Sequence, residues 1–142
     1  MNEITLIYPG VIYSKKNSKQ IVTNWRTNRP IIVSNRNAKN QEAAMAGIFR
    51  GQARVGGWPS LGAKPKDIAN HQFSIEILVW QKDLRRRDLD NQATAILDGL
   101  VAAGVIPDDS CDVVTKLSIT YKGIDKEEPR AEIKIKETVW ID

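Results

Sequence analysis

The spacing of apolar residues changes several times along the chain, and each change marks an element. Ile4, Leu6 and Tyr8 alternate with polar or smaller residues, the period of a short half-buried strand over residues 3–8, which Pro9-Gly10 ends. Residues 14–19 are polar and basic and read as a loop. Residues 19–24 and 30–33 predict the short strands of a hairpin, with Pro30 holding its predecessor extended. From Asn37 to about Arg54 most residues are good helix formers, and Ala44, Ile48 and Val55 fall roughly on one face. Gly56-Gly57-Trp58-Pro59 breaks that helix, and a loop rich in Gly, Pro and Lys runs to about Asn70.

His71 to Trp80 returns to alternation, with Phe73, Ile75, Ile77 and Val79 on one face of a strand. Asp90 to Ala103 is the clearest helix: Ala93, Ile96, Leu97, Leu100 and Val101 keep helical spacing, and Gly104 is a natural stop. Residues 113–121 and 131–140 alternate again, and the charged turn from Gly123 to Pro129 predicts that they form an antiparallel hairpin. Trp80 and Trp140, within alternating stretches, are expected in the core. The order is mixed rather than a regular strand–helix alternation. It predicts one α+β domain over residues 1–142, a mixed β-sheet with helices packed against it.

Composition narrows the class. With 42% hydrophobic and 27% charged residues the chain is globular rather than disordered. No apolar run nears the roughly 18 residues of a membrane span, and the N-terminus shows no secretory signal. The single cysteine, Cys111, reads as a small buried side chain in a reducing cytoplasm. The net charge of +4 hides an asymmetry: residues 1–87 carry 15 Lys and Arg against 5 Asp and Glu, residues 88–142 carry 6 against 12. A basic half suits a polyanion, because Lys and Arg displace counterions condensed on phosphate. An acidic half with closely spaced aspartates suits bound cations.

The aspartates concentrate in Arg85-Arg86-Arg87-Asp88-Leu89-Asp90-Asn91 and, beyond the helix, in Pro107-Asp108-Asp109-Ser110. Two or three carboxylates holding magnesium or manganese would supply what phosphodiester cleavage needs: an activated water and compensation for charge on the phosphate oxygens. The arginines before them suit neighbouring phosphates. The plainer readings are that Asp88 or Asp90 caps the helix and that Asp108-Asp109-Ser110 is a turn. Helix geometry moreover puts Asp109 about 20 Å from Asp90, at 1.5 Å per residue. An EF-hand is excluded, because the required glycine and closing glutamate do not follow.

Arg86-Arg87-Asp88-Leu89-Asp90-Asn91, then Leu97-Asp98-Gly99-Leu100, then Ala103-Gly104-Val105-Ile106-Pro107-Asp108-Asp109 resembles the signature of the RusA family of Holliday-junction resolvases. Pro9-Gly10, the basic stretch 14–19 and Arg29-Pro30 are similar to the basic leader of such proteins. The resemblance implies a homodimeric, magnesium-dependent endonuclease that makes paired nicks in four-way DNA junctions. Its three essential aspartates then fall on Asp88, Asp90 and Asp109, with Asp109 brought close by the fold or supplied by the partner subunit. The family commonly has a lysine four residues after the second aspartate, where this chain has Thr94. A junction-binding protein with weak or lost cleavage is therefore the rival reading. Lys15, Lys16, Lys19, Arg29 and Arg85 to Arg87 are the expected phosphate contacts. Trp58 is read as packing onto the domain ahead of stacking on an unpaired base.

Overall fold

The computed structural model describes residues 3–13, 19–24, 26, 29–34, 36–58 and 71–139. The elements are β1 (Glu3–Pro9), β2 (Lys19–Asn24), β3 (Arg29–Ser34), α1 (Arg36–Val55), β4 (His71–Gln81), α2 (Leu89–Ala102), β5 (Val114–Ile124) and β6 (Arg130–Val139). Four strands make a mixed sheet in the order β1-β6-β4-β5, and β2 pairs with β3 in a separate antiparallel ribbon. β6 runs antiparallel to both β1 and β4, whereas β4 and β5 run parallel. The α+β expectation holds.

The predicted hairpin does not. β5 and β6 are both strands, but β4 lies between them. Alternation tells which residues of a strand face the core and is silent on its neighbours. Here the turn after β5 is tied to β4 through Asp125 N–H to the Gln81 carbonyl (2.8 Å), so the chain steps across β4 rather than folding back. Burial favours this order. Ala131, Ile133 and Ile135 of β6 and Phe73, Ile75 and Ile77 of β4 are essentially inaccessible, as central strands are, while β5 is largely exposed, as an edge is.

Both helices cover the face that carries Leu6, Ile77 and Ile133, and the core closes over Ile96 and Leu100 of α2. On α1 the buried stripe is Met45, Phe49 and Ala53, an i, i+4 series. The expected Ala44–Ile48–Val55 face is displaced: Ala44 is exposed and Val55 is 90% accessible. Gly99 lets the helices approach closely, since a Cβ there would lie 2.9 Å from the Met45 Cβ. α2 ends as predicted at Gly104 (φ 73°), where Gly104 N–H donates to Val101 and Val105 N–H to Leu100, a Schellman ending.

Trp58 is 5% exposed and donates through Nε1 to the Val105 carbonyl (2.9 Å), so it is a packing residue and not a base-stacking platform. Trp80 is not core. It lies half-buried with the Arg130 guanidinium 4.0 Å over its ring. Cys111 is exposed, contrary to expectation, because the turn that holds it leaves the core before β5 begins. Trp140 lies outside the described residues. α1 also closes one edge of the sheet: the Gln52 amide bonds both the N–H and the carbonyl of Ile7 on β1, each at 2.8 Å.

Gly99→Leu should force Met45 and Phe49 apart and lower stability by about 1–3 kcal/mol, the usual cost of overpacking. Urea unfolding should show a lower midpoint at an unchanged slope.

Candidate active site

Asp88 occupies the N-cap position of α2 in extended conformation (φ −81°, ψ 131°), yet its side chain makes no capping hydrogen bond. Its backbone carbonyl accepts from Gln92 N–H (3.2 Å), so the helix begins here without the carboxylate. Asp90 lies in the first turn. Both residues are exposed, and among the described residues neither carboxylate has a hydrogen-bond or ion-pair partner. The capping reading thus gives the position of Asp88 and not the use of its side chain. Two free carboxylates stand two residues apart at a helix N-terminus, where the helix dipole favours negative charge.

Asp109 lies at the other end of the same helix. The buried pair Val105 and Ile106 follows the Schellman ending, Asp109 N–H then donates to Asp108 Oδ1 (2.8 Å), and the Ser110 carbonyl accepts from Val113 and Val114. Val113 in turn receives the N–H of Phe73, near the start of β4. Asp88 and Asp90 follow the end of β4, whereas Asp109 is anchored near its beginning. Across the 14 residues of α2 the separation is about 21 Å. Among the described residues no group of three or more His, Cys, Asp or Glu side chains is placed to hold a metal ion. Within one chain, Asp88 and Asp90 come together and Asp109 does not join them.

The three arginines divide. Arg85 and Arg86 are exposed, while the Arg87 side chain is 12% accessible. Arg87 Nη1 donates to Asp83 Oδ1 (3.0 Å) and to Gln81 Oε1 (3.1 Å), and Gln81 Nε2 donates to Gln92 Oε1 (3.2 Å). The Arg85 backbone N–H and the Arg87 guanidinium hold the Asp83 carboxyl below its ordinary pKa. The chain Asp83–Arg87–Gln81–Gln92 therefore links the exposed loop to the buried first turn of α2. In that turn Asn91 Oδ1 and Gln92 Nε2 are buried without partners, a cost of about 1–3 kcal/mol for each such group. Beside it a cleft of about 300 Å³ is lined by Leu84, Arg85, Arg86, Arg87 and Tyr121.

Sequence reasoning missed Gln81 and Gln92. The signal was present: Gln92 stands one turn before Ile96 on the apolar stripe, and Gln81 closes an otherwise apolar strand face. Thr94 is exposed, and its hydroxyl donates to the Asp90 carbonyl (3.0 Å). Of the expected basic contacts, Lys15 and Lys16 lie outside the described residues. Lys19 and Arg29 stand at opposite ends of the β2–β3 ribbon, opposite Ser34 and Asn24 respectively.

Residues 16–136 match the family model described as Endodeoxyribonuclease RusA, a span that contains all three aspartates. The chain belongs to the RusA endodeoxyribonuclease family. It is accordingly a structure-selective DNA endonuclease, and RusA membership implies Holliday-junction resolvase activity on branched DNA. A comparison with curated proteins gives no significant match. Among the described residues no helix is long and apolar enough to cross a membrane.

Arg87→Ala should leave Gln81 Oε1 without its charged donor and destabilise the protein by about 1–3 kcal/mol. Arg86→Ala, which removes an exposed side chain, should leave the thermal midpoint unchanged. The paired melting curves check both.

Proposed function

We propose that the protein is a homodimeric, metal-dependent resolvase that nicks four-way DNA junctions in pairs, acting in recombination and repair. Each site is formed by Asp88 and Asp90 of one subunit and Asp109 of the partner subunit. The observation that carries this reading is the pair of unpartnered carboxylates at the α2 N-terminus, beside an arginine-lined cleft, in a chain whose remaining candidate acid lies at the far end of the helix. A helix-length separation cannot be closed within one subunit while both ends are anchored to β4. A second copy closes it. The DNA substrate and the single cysteine fit a cytoplasmic protein.

Carboxylate oxygens are hard donors that suit Mg²⁺, with Mn²⁺ as a substitute, and Asp88 and Asp90 are unengaged by other partners. When bound there, the ion supplies water activation and offsets charge on the scissile phosphate. The protein's own part is positional. Arg85 and Arg86 bind phosphates beside the one cut, while Arg87 fixes the loop that presents them. Lys15, Lys16, Lys19 and Arg29 add sequence-independent grip on the DNA arms. Attack by water in line with the leaving oxygen leaves a 5′-phosphate and a 3′-hydroxyl.

Asp88→Asn and Asp90→Asn should fold normally, because neither carboxylate bonds the protein, and should lose junction nicking by about 100-fold or more, comparable to removal of a charge-stabilising group. Junction binding should persist. Mixed dimers of Asp88→Asn and Asp109→Asn subunits separate the arrangements. If Asp109 acts across the dimer, one intact site reforms and single nicks return; if it acts within its own chain, the mixture stays inactive.

The rival reading, a junction binder that no longer cuts, is favoured by one residue. Thr94 offers a neutral hydroxyl, already bonded to the Asp90 backbone, where the resemblance leads one to expect a lysine. Thr94→Lys places an ammonium one turn beyond Asp90, about 6 Å along the same face. It should raise the single-turnover cleavage rate with magnesium and change binding by less than about tenfold, since one charge-assisted contact is a modest addition. If both proteins bind junctions and neither cuts, the binding-only reading replaces the enzyme.

A further inference from the structure

The two edges of the sheet are finished differently. At β1 the Gln52 amide occupies the outward N–H and carbonyl of Ile7, and the Gln41 amide does the same for Tyr13 just beyond (2.7 and 2.9 Å). β5 is the opposite edge, and among the described residues no strand or side chain bonds its outer backbone. An open edge of 11 residues is a template for another strand.

Its side chains are also unfinished. The register pairs Leu117 with Ile75 and Tyr121 with Val79, so these residues sit on the helix-covered face. Yet Leu117 is 42% exposed, Tyr121 48% and Ile124 40%, and Leu84 beside them is 88% exposed. An apolar stripe continues the core layer to the edge and stops without a cover.

Charge indicates what covers it. Exposed Arg85 and Arg86 lie beyond the C-terminal ends of the parallel strands β4 and β5, and exposed Asp108, Asp109 and Asp112 lie before the N-terminal end of β5. A parallel neighbour of the same sequence would set arginines against arginines and aspartates against aspartates. An antiparallel one sets each acidic segment against the other's arginines.

We propose that β5 pairs antiparallel with β5 of a second copy about a two-fold axis at Ile119, joining the two four-stranded sheets into one. In this register Ile119 faces its own counterpart and Leu117 faces Tyr121 across the axis, with both pairs on the helix-covered face. Lys116, on the other face, is an edge charge of the kind that discourages indiscriminate pairing. The interface rests on the homodimer reading above and gives it a surface. It carries each Asp109 to the end of the partner's sheet where Asp88 and Asp90 stand.

The test uses the full chain with its only cysteine removed, Cys111→Ser, and a single cysteine placed at Ser118, Ile119 or Thr120. Residues facing each other across an antiparallel pair have Cα atoms about 4.5–5.5 Å apart, within the disulfide range. Ile119→Cys should give a covalent dimer on mild oxidation, in high yield and independent of protein concentration. Glu3→Cys, on the β1 edge, should give none. Leu117→Glu, an exposed position in one subunit, should preserve the melting curve and weaken dimerisation at least tenfold by light scattering. A disulfide centred on 118 or 120 supports the same interface with the axis moved by one residue. A monomer at tens of micromolar, or a dimer that none of the three cysteines can link, overturns it. Cross-linking without activity in the mixed dimers would keep the interface and remove Asp109 from the site; restored activity without cross-linking would do the reverse.

Discussion

The parallel pairing of β4 with β5 is the constraint from which the rest of the molecule follows. Parallel neighbours cannot be joined by a tight turn, because the chain must travel back the full length of the sheet before the second strand begins. α2 makes that return, starting after Gln81 at one end of β4 and delivering the chain to Val114 beside Phe73 at the other. Its apolar stripe then lies over the sheet and meets α1 where Gly99 lets Met45 approach. The same course sends Asp88 and Asp90 to one end of the domain and Asp109 to the other. The acids are separated by the element that builds the core, so no loop adjustment can unite them without undoing the fold.

The local periods were legible. The strand of Phe73 to Val79, the helix of Ala93 to Val101 and its glycine stop all stand where the spacing puts them. So did the separation of Asp90 from Asp109, which needs only the rise per residue. What the spacing could not give was set by partners distant in sequence. The β5–β6 hairpin failed because alternation carries no information about which strand lies alongside. The face of α1 was misread because its apolar residues are sparse, and only contact with Leu6, Ile96 and Leu100 selects Met45 and Phe49 over Ile48 and Val55. Trp80 failed for a related reason: a position in an alternating strand is inner or outer only by register, and the outer face found a cation for it.

The site shows how one residue type is spent in different ways over a few positions. Of three consecutive arginines the last is turned inward to hold Asp83 and Gln81, and two remain outside. Of two aspartates flanking Leu89, one holds the capping position without the capping bond and the other rides the first turn. Beside them Asn91 and Gln92 bury polar atoms that find no partner, against the general rule that buried polar groups are satisfied. Local cost of this kind is tolerated where function demands it. A carboxylate engaged as a cap is less available to a cation, so a free Asp88 and a weaker helix start belong together.

A further consequence concerns the timing of the cuts in the proposed arrangement. A subunit that keeps two acids at one end and the third at the other cannot assemble a complete site alone, whatever DNA it meets. Dimerisation then completes both sites at once, because a two-fold axis repeats every contact. A four-way junction is a substrate for which this matters, since a single nick leaves the arms joined and only a second, opposed nick separates them. Splitting the acids along α2 would couple catalytic competence to the paired state that resolution requires. The bare β5 edge and the arginine–aspartate polarity of its two ends give that coupling a physical route through backbone pairing and charge.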